Sequence, residues 1–222
     1  MGAVAVVRER KHAHIASSAL AKLDEGLRRL LDIALSLFGL LLTGPVILLC
    51  ALLVKATSPG PAFFTQERVG RRGRTFRILK LRTMSHNAHG PDVVASGDGR
   101  VTPLGRVLRR YKIDELPQLL NVLVGHMSLV GPRPEVPRFV AFYNRQQRRI
   151  LDVRPGITGP VQIRYHDEHK LLAGADDPER VYITQVMPAK LAIDLAYLEH
   201  RNVLKDLIIL AQTLKILLCR CR

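Results

Sequence analysis

The chain has 222 residues, 47 % hydrophobic and 24 % charged, which suits one compact domain plus a membrane element and argues against a disordered chain. A formal net charge of +15 predicts a polyanionic partner: nucleic acid, an anionic membrane surface or phosphorylated substrates. The three cysteines have neither the spacing of a disulfide framework nor that of a zinc site, which indicates a reducing, cytosolic compartment.

Residues 1–27 are a basic, alanine-rich lead-in that we expect to lie on the membrane surface. The most apolar stretch follows, from Ile33 to Val54, and contains no charged residue. As a straight helix it would measure about 33 Å, enough for a bilayer core of about 30 Å. Thr43-Gly44-Pro45 interrupts it, and because Pro45 cannot donate a backbone hydrogen bond, we expect a break there.

Both flanks of this apolar stretch are basic, which would place both in the cytoplasm. The flanking basic residues are Arg28, Arg29, Lys55, Arg68, Arg71 and Arg72. We therefore predict a re-entrant helix-break-helix over residues 28–56 that enters and leaves the membrane on one face. A true transmembrane span and a buried soluble hairpin remain as alternatives.

Residues 57–222 are predicted to form a compact α+β domain, mainly α with short β pieces and with amphipathic helices on its surface. The predicted elements, in chain order, are extended pieces at Ala62–Thr65 and Phe76–Leu81 around a loop at Gly70–Arg74, a mobile loop at Ser85–Gly99, helices at Pro103–Tyr111, Glu115–Val124 and Pro137–Arg149, a strand at Val161–Arg164, and helices at Pro188–His200 and Val203–Leu218. Thr102 is the predicted N-cap of the first of these helices.

Adjacent carboxylates at Asp114 and Glu115 are the first candidates for chemistry. We expect Asp114 to be the N-cap of the helix that follows, where the helix dipole favours its ionised, nucleophilic form. The same helix end attracts phosphate, and two carboxylates plus substrate phosphates suit Mg²⁺. Structural capping is the ordinary explanation of such a pair, so the pair alone is a weak signal.

Arginines strengthen the case for a phosphate site, because a guanidinium binds phosphate through two hydrogen bonds. Arg110 leads into the acidic pair, and Arg133 lies between two prolines that restrict its backbone. The Gly70–Arg77 cluster is more typical of a solvated basic surface. His126 is the alternative acid or base, although such a residue more often only ends a helix.

Four ordered motifs together resemble the bacterial sugar transferases, the monotopic phosphoglycosyl transferases. They are Lys80-Leu81-Arg82-Thr83-Met84, Asp114-Glu115-Leu116-Pro117-Gln118-Leu119, Met127 through Glu135 with its Gly-Pro-Arg-Pro segment, and Arg154-Pro155-Gly156-Ile157-Thr158-Gly159. The resemblance covers roughly residues 28–218. Pro160 departs from it, since many members have tryptophan there.

The resemblance implies an enzyme that transfers a sugar-1-phosphate from a UDP-sugar to polyprenyl (undecaprenyl) phosphate, the initiating step of membrane glycan synthesis. It implies that Asp114 is the nucleophile that forms a covalent aspartyl-phosphosugar, that Glu115 is tied to Mg²⁺, and that Arg133 binds phosphate. Lys80 and Arg82 are inferred to have phosphate or structural roles. The implied location is the bacterial inner membrane, with a re-entrant helix broken near Pro45 and the catalytic domain facing the cytoplasm.

Two other functions were weighed against this enzyme. A nucleic-acid-binding protein would also explain the net charge, but aromatic residues are only 5 % of the chain and no nucleic-acid motif is present. A catalytically silent membrane scaffold for glycan-assembly enzymes would not need Asp114, Glu115 and Arg133 together. The expected partners are the UDP-sugar, the polyprenyl phosphate and an anionic membrane surface, with no nucleic acid; a homodimer is left open.

Overall fold

The structure, a computed structural model, describes residues 2–86, 90, 98–165 and 177–219, with side chains from Lys22 onward. Most of the predicted loop at Ser85–Gly99 and the thiol of Cys221 lie outside these residues. The elements are α1 (Gly2–Thr57), β1 (Phe63–Val69), β2 (Thr75–Leu81), α2 (Pro103–Arg110), α3 (Gln118–Leu123), β3 (Ser128–Val130), α4 (Pro137–Val140), β4 (Gly156–Thr158), α5 (Pro160–Arg164), α6 (Pro178–Val181), α7 (Met187–Glu199) and α8 (Val203–Cys219). The predicted class, mainly α with short β pieces, is confirmed.

Two small sheets organise the domain. β1 and β2 form an antiparallel hairpin in which Phe63 pairs with Leu81 and Val69 with Thr75. β3 and β4 are parallel, with Ser128 opposite Gly156. The hairpin confirms the predicted extended pieces, and α2 begins as predicted because the Thr102 hydroxyl accepts a hydrogen bond from the Gly105 amide at 2.9 Å.

Two sequence predictions about later elements are wrong. Residues 161–164 belong to the helix α5, because Pro160 at its first position favours helical backbone and the strand lies just before it. The helix predicted from Pro137 ends as α4 at Val140. Further along, the side chains of Asn144 and Gln147 bond each other's backbone amides at 2.9 Å, which competes with a continuing helix.

Buried apolar side chains form three clusters, all in contact with the elements that carry the candidate site. One lies between β2, α3, β3 and the C-terminal helices, another under α4 and α7, and the third between α1, β2 and α2. The first cluster includes Ile78, Val122 and Met127. The second includes Phe139, Ile150 and Leu191, and the third includes Val54, Leu81 and Leu108.

The helix α1 continues through Pro45, so the predicted non-helical break is not seen. Proline removes a single backbone hydrogen bond, and the rest of a long apolar helix keeps its own. The Thr43 hydroxyl also donates to the Gly39 carbonyl at 2.7 Å, one turn earlier. From Lys22 to Thr57 the helix is long and apolar enough, by length and composition, to cross a membrane.

The part of α1 before Pro45 is docked on the domain through polar contacts. Arg28 forms a buried ion pair with Asp206 of α8. Arg29 donates to the Val122 and Leu123 carbonyls at 2.7 and 2.8 Å, which satisfies the C-terminal end of α3.

Asp32, also before Pro45, accepts hydrogen bonds from the Ser128 hydroxyl at 3.0 Å and the Leu129 amide at 2.8 Å. After Pro45, Cys50, Ala51 and Val54 pack against β2 and α2. Both halves of the anchor therefore contact the same domain.

Candidate active site

Asp114 and Glu115 lie in a single 3-10 turn, Ile113–Glu115, rather than at the start of a helix. Lys112 before this turn has left-handed backbone, with φ of 58°, and reverses the chain after α2. The next helix begins only at Gln118, with Pro117 at its N-cap. The prediction that Asp114 caps a helix from Glu115 to Val124 is therefore wrong, and the helix dipole does not account for its chemistry.

Two cations fix the Glu115 carboxylate. Its Oε1 accepts from Lys80 Nζ at 2.8 Å and from Arg133 Nη2 at 2.6 Å. Burial opposes ionisation of Glu115, but Arg133 and Lys80 outweigh it and hold the pKa of Glu115 well below its usual range. The two cations therefore favour the ionised form of Glu115. The structure brings together three residues that the sequence predicted, Lys80, Glu115 and Arg133.

Asp114 has a different environment, although it is equally buried. Among the residues that the structure describes, its Oδ1 has no hydrogen-bond partner. Burial, and then the negative charge of Glu115, raise the pKa of Asp114, while Lys80, Lys112 and Arg109 oppose that rise. An unengaged carboxylate oxygen beside several cations can attack an electrophile that binds there.

Lys80 is positioned by a residue that sequence reasoning missed. The side-chain amide of Asn121 accepts from the Leu79 amide at 3.0 Å and donates to the Arg77 carbonyl at 2.8 Å. Asn121 thus takes the place of a partner strand along the free edge of β2. The signal in the sequence was weak, because a buried asparagine in a short helix is not distinctive.

Arg133 is positioned by Glu135, two residues further along. Glu135 accepts from Arg68 at 3.1 Å through Oε1 and from the Tyr182 hydroxyl at 2.5 Å through Oε2. These contacts attach the segment after β3 to the β-hairpin and to the C-terminal half of the domain. The role of Glu135 was missed, because only the fold brings Arg68 and Tyr182 to it.

The structure does not bring Arg82 or Arg110 to the acidic pair. Arg82 is buried and donates to the Ser58 carbonyl at 2.9 Å and also to the Pro59 carbonyl, just past the end of α1. Arg110 is exposed, and its guanidinium lies 5.7 Å from the ring centre of Tyr111. The predicted phosphate contact of Arg82 conflicts with this position, because its hydrogen-bonding groups serve the end of the anchor helix.

Arg109 takes the place that Arg110 was expected to have. It is half-buried, donates to the Thr83 hydroxyl at 2.8 Å, and its charge lowers the pKa of Asp114. Buried Gly105 lies four residues earlier on the same face of α2, so this face of the helix is turned toward the domain.

His126, the alternative acid or base, is exposed. Its ring centre lies 5.6 Å from that of Phe76. Its amide nitrogen donates to the Asn121 carbonyl, which is the helix-ending role that the sequence favoured.

The site offers two acidic side chains, Asp114 and Glu115, as possible ligands for a metal ion. Within the described part of the chain, no group of three or more His, Cys, Asp or Glu side chains could hold a metal ion. Magnesium commonly takes only one or two carboxylates, with phosphates and water completing its shell. Among the residues that the structure describes, Asp114 Oδ1 has no hydrogen-bond partner. The Oε2 atom of Glu115 is contacted more weakly than Oε1, by Arg133 Nη1 at 3.5 Å. The two carboxylates fit a magnesium ion that arrives with a phosphorylated substrate.

Comparison with known proteins identifies the family of the chain. A family profile described as "Bacterial sugar transferase" matches residues 23–220. The "UDP-glucose:undecaprenyl-phosphate glucose-1-phosphate transferase" of Caulobacter vibrioides is 42% identical over 86% of this chain and 69% of its own length. The "Exopolysaccharide production protein PSS" of Rhizobium leguminosarum bv. phaseoli is 35% identical over 86% of this chain and 94% of its own length.

A further relative is the "UDP-N-acetylgalactosamine-undecaprenyl-phosphate N-acetylgalactosaminephosphotransferase" of Aeromonas hydrophila, 40% identical over 86% of this chain but only 44% of its own length. The chain belongs to the bacterial sugar transferase family. It is an enzyme of the phosphoglycosyl transferase class.

Proposed function

We propose that this enzyme transfers a sugar-1-phosphate from a UDP-sugar to polyprenyl phosphate and releases UMP, as the initiating step of membrane glycan synthesis. One observation carries the proposal: the buried Asp114 carboxylate has an oxygen to which no described residue hydrogen-bonds, beside a Glu115 whose ionised form Lys80 and Arg133 favour. Relatives named for glucose-1-phosphate and N-acetylgalactosamine phosphate transfer to undecaprenyl phosphate support the same reaction class.

In the first step, Asp114 Oδ1 attacks the β-phosphorus of the UDP-sugar. A bond forms between Oδ1 and phosphorus, the bond from that phosphorus to the bridging oxygen breaks, and UMP leaves with the bridging oxygen. An anion that attacks a diphosphate needs nearby positive charge, which Lys80, Arg109 and Arg133 supply. The covalent product is an aspartyl-phosphosugar.

In the second step, a phosphate oxygen of the polyprenyl phosphate attacks the same phosphorus. The bond to Asp114 breaks, the carboxylate is regenerated, and polyprenyl-diphosphate-sugar is formed. Two successive displacements at one phosphorus predict ping-pong kinetics.

Magnesium is part of the proposal as the cofactor, held by Asp114 and Glu115 together with the substrate phosphates. When bound, it would neutralise charge on the diphosphate and the leaving UMP. Glu115 suits this role because Arg133 and Lys80 lower its pKa and so favour its ionised form.

We also propose that the enzyme is monotopic, with α1 re-entering the cytoplasmic face of the bacterial inner membrane. A helix that spans a bilayer has its ends separated by a hydrocarbon core of about 30 Å. Here Arg28, before the apolar stretch, and Val54, at its end, are both buried against one domain, which supports entry and exit on the same side. The apolar side chains exposed around Pro45 would face lipid; they include Leu37, Phe38, Leu41, Leu42, Leu48, Leu49 and Leu52.

The test is UMP release by the nanodisc-held protein, mixed with polyprenyl phosphate, Mg²⁺ and a panel of UDP-sugars. We expect release with at least one donor, lost in EDTA and in Asp114→Asn, because the amide cannot act as the anionic nucleophile. With the donor alone, we expect a single turnover of UMP and a phosphosugar adduct on Asp114, detectable by mass spectrometry.

Asp177→Asn is a matched control, since Asp177 caps the short helix α6 through the Arg180 amide and is not part of the acidic pair. Near-normal turnover in Asp114→Asn would remove Asp114 from the mechanism. Absence of UMP release with every donor, from folded protein, would favour the silent scaffold.

A further inference from the structure

Gln162 carries a side-chain amide to which no described residue hydrogen-bonds. Among the described residues, neither its Oε1 nor its Nε2 has a hydrogen-bond partner, although both atoms are buried. A buried amide without partners is costly, and few native side chains remain so. An unsatisfied pair of this kind in a native enzyme suggests a missing partner.

The fold places this amide at the same edge as the phosphate-binding arginine. β3 and β4 are parallel; β3 is followed by Gly131 and then Arg133, and β4 is followed by Gly159 and then Gln162. Ligands commonly bind outside the carboxyl ends of parallel strands, where the loops that leave them meet.

Two glycines let the loops that leave β3 and β4 pack closely beside the amide. A side chain at Gly159 would come within 2.5 Å of the Gly131 carbonyl oxygen and 3.0 Å of Gln162 Oε1. The Gly131 amide donates to the Thr158 carbonyl at 2.9 Å and holds the two loops together. Gln162 Oε1 therefore lies beside the start of the segment that carries Arg133, which is at most about 7 Å of backbone further on.

We propose that Gln162 binds the pyrimidine base of the donor nucleotide. A planar amide offers one donor and one acceptor side by side, and the uracil edge offers a complementary N–H donor beside a carbonyl acceptor. Oε1 would accept from the uracil N3–H, and Nε2 would donate to the neighbouring carbonyl. This inference rests on the proposed function in one respect, which is that the donor is a uridine nucleotide.

The experiment measures binding of UMP and of ribose 5-phosphate, which lacks the base, to the nanodisc-held protein by calorimetry. Gln162→Met keeps the volume and removes both hydrogen bonds. We expect UMP affinity to fall by about 10- to 100-fold, and ribose 5-phosphate affinity to stay unchanged. Gln212→Met, on the exposed face of α8, is the matched control and should change neither.

The same variants give a second readout in the absence of ligand. Because Gln162→Met removes an unpaired buried amide, we expect its melting temperature to stay level or to rise by a few degrees. A lower melting temperature would show that the amide has a structural partner and would overturn the proposal. Unchanged UMP affinity in Gln162→Met would also overturn the proposal. If the KM of the UDP-sugar rose while UMP affinity stayed unchanged, the amide would contact the sugar rather than the base.

Failure of the proposed function is separable from failure of this inference. UMP binding that depends on Gln162, in a protein that releases no UMP from any donor, would uphold base recognition and remove the transferase reaction. UMP release and UMP affinity that are both insensitive to Gln162 substitution would uphold the transferase reaction and remove base recognition by Gln162.

Discussion

Arg109 and Arg110 are adjacent in the helix α2, but they have different environments and different effects on Asp114. Both carry the same charge and are adjacent in sequence, but Arg109 is half-buried and hydrogen-bonded to Thr83, whereas Arg110 is exposed beside Tyr111. Only the charge of Arg109 is among those that lower the pKa of Asp114. Sequence reasoning selected Arg110, because proximity along the chain does not show which face of a helix is turned inward.

The different effects of Arg109 and Arg110 on the pKa of Asp114 lead to a prediction about how kcat/KM depends on pH. Burial and Glu115 raise the pKa of Asp114, and the nucleophile must be ionised, so kcat/KM should fall as pH decreases through that raised pKa. Loss of the Arg109 charge would raise the pKa further. We therefore expect Arg109→Met to move the acid limb to higher pH and Arg110→Met to leave it in place, measured as kcat/KM against pH.

Arg109→Lys, which keeps the charge, is the control and should retain most of the wild-type profile. Equal displacement of the limb in the Arg109→Met and Arg110→Met variants would contradict the assignment. A larger displacement in Arg110→Met would restore the original prediction for that residue.

At the scale of elements, the sequence predicted those whose signals are local. Thr102-Pro103 marked the start of α2, and the glycine-arginine loop at Gly70–Arg74 separated two extended pieces that the structure pairs as β1 and β2. The predictions were wrong where tertiary contacts determine the type or the boundaries of an element. The helix expected from Glu115 starts three residues later, after a 3-10 turn, and a strand was assigned to residues 161–164 because the pairing partner of β4 is distant in sequence.

Part of the candidate site could be predicted from the sequence, because the chemistry of its residue types is distinctive. Asp114, Glu115, Lys80 and Arg133 are residue types whose pairing suits phosphoryl chemistry wherever they meet. Asn121 and Glu135 were not readable, because they act on backbone and side chains that only the fold brings near.

The turn after the anchor helix gives a prediction at this scale. The Arg82 guanidinium donates to the partly buried carbonyl of Ser58 and to that of Pro59, past the end of α1. Arg82→Met would remove both bonds, and a hydrogen bond to a charged group contributes about 1.5–3 kcal/mol. We expect a free energy of unfolding lower by about 2–4 kcal/mol, read as a lower melting temperature in nanodiscs, and an unchanged KM for the UDP-sugar.

Exposed Arg106 on α2 provides the control, since Arg106→Met should change neither quantity. A raised KM with unchanged melting temperature in Arg82→Met would instead support the phosphate role that the sequence suggested for Arg82.

For the whole molecule, the arrangement of the anchor makes a topological prediction. Single cysteines placed before Arg28 and after Lys55 should react with a membrane-impermeant thiol reagent from the same side of sealed vesicles, because both ends of the anchor are docked on one domain. The measurement is labelling of right-side-out and inverted vesicles. The native Cys50, Cys219 and Cys221 would first be replaced by alanine. Labelling of the two positions from opposite sides would exclude re-entry.

The polar contacts of Asp32 have a consequence for anyone who would trim or exchange this segment. The Asp32 carboxylate in α1 accepts hydrogen bonds from Ser128 and Leu129, which belong to the strand that leads to Arg133. A foreign hydrophobic segment of equal length would tether the domain to lipid but leave those groups unsatisfied. The anchor is thus a piece of the catalytic scaffold, and chimaeras that treat it as an interchangeable tether should retain membrane attachment and lose turnover.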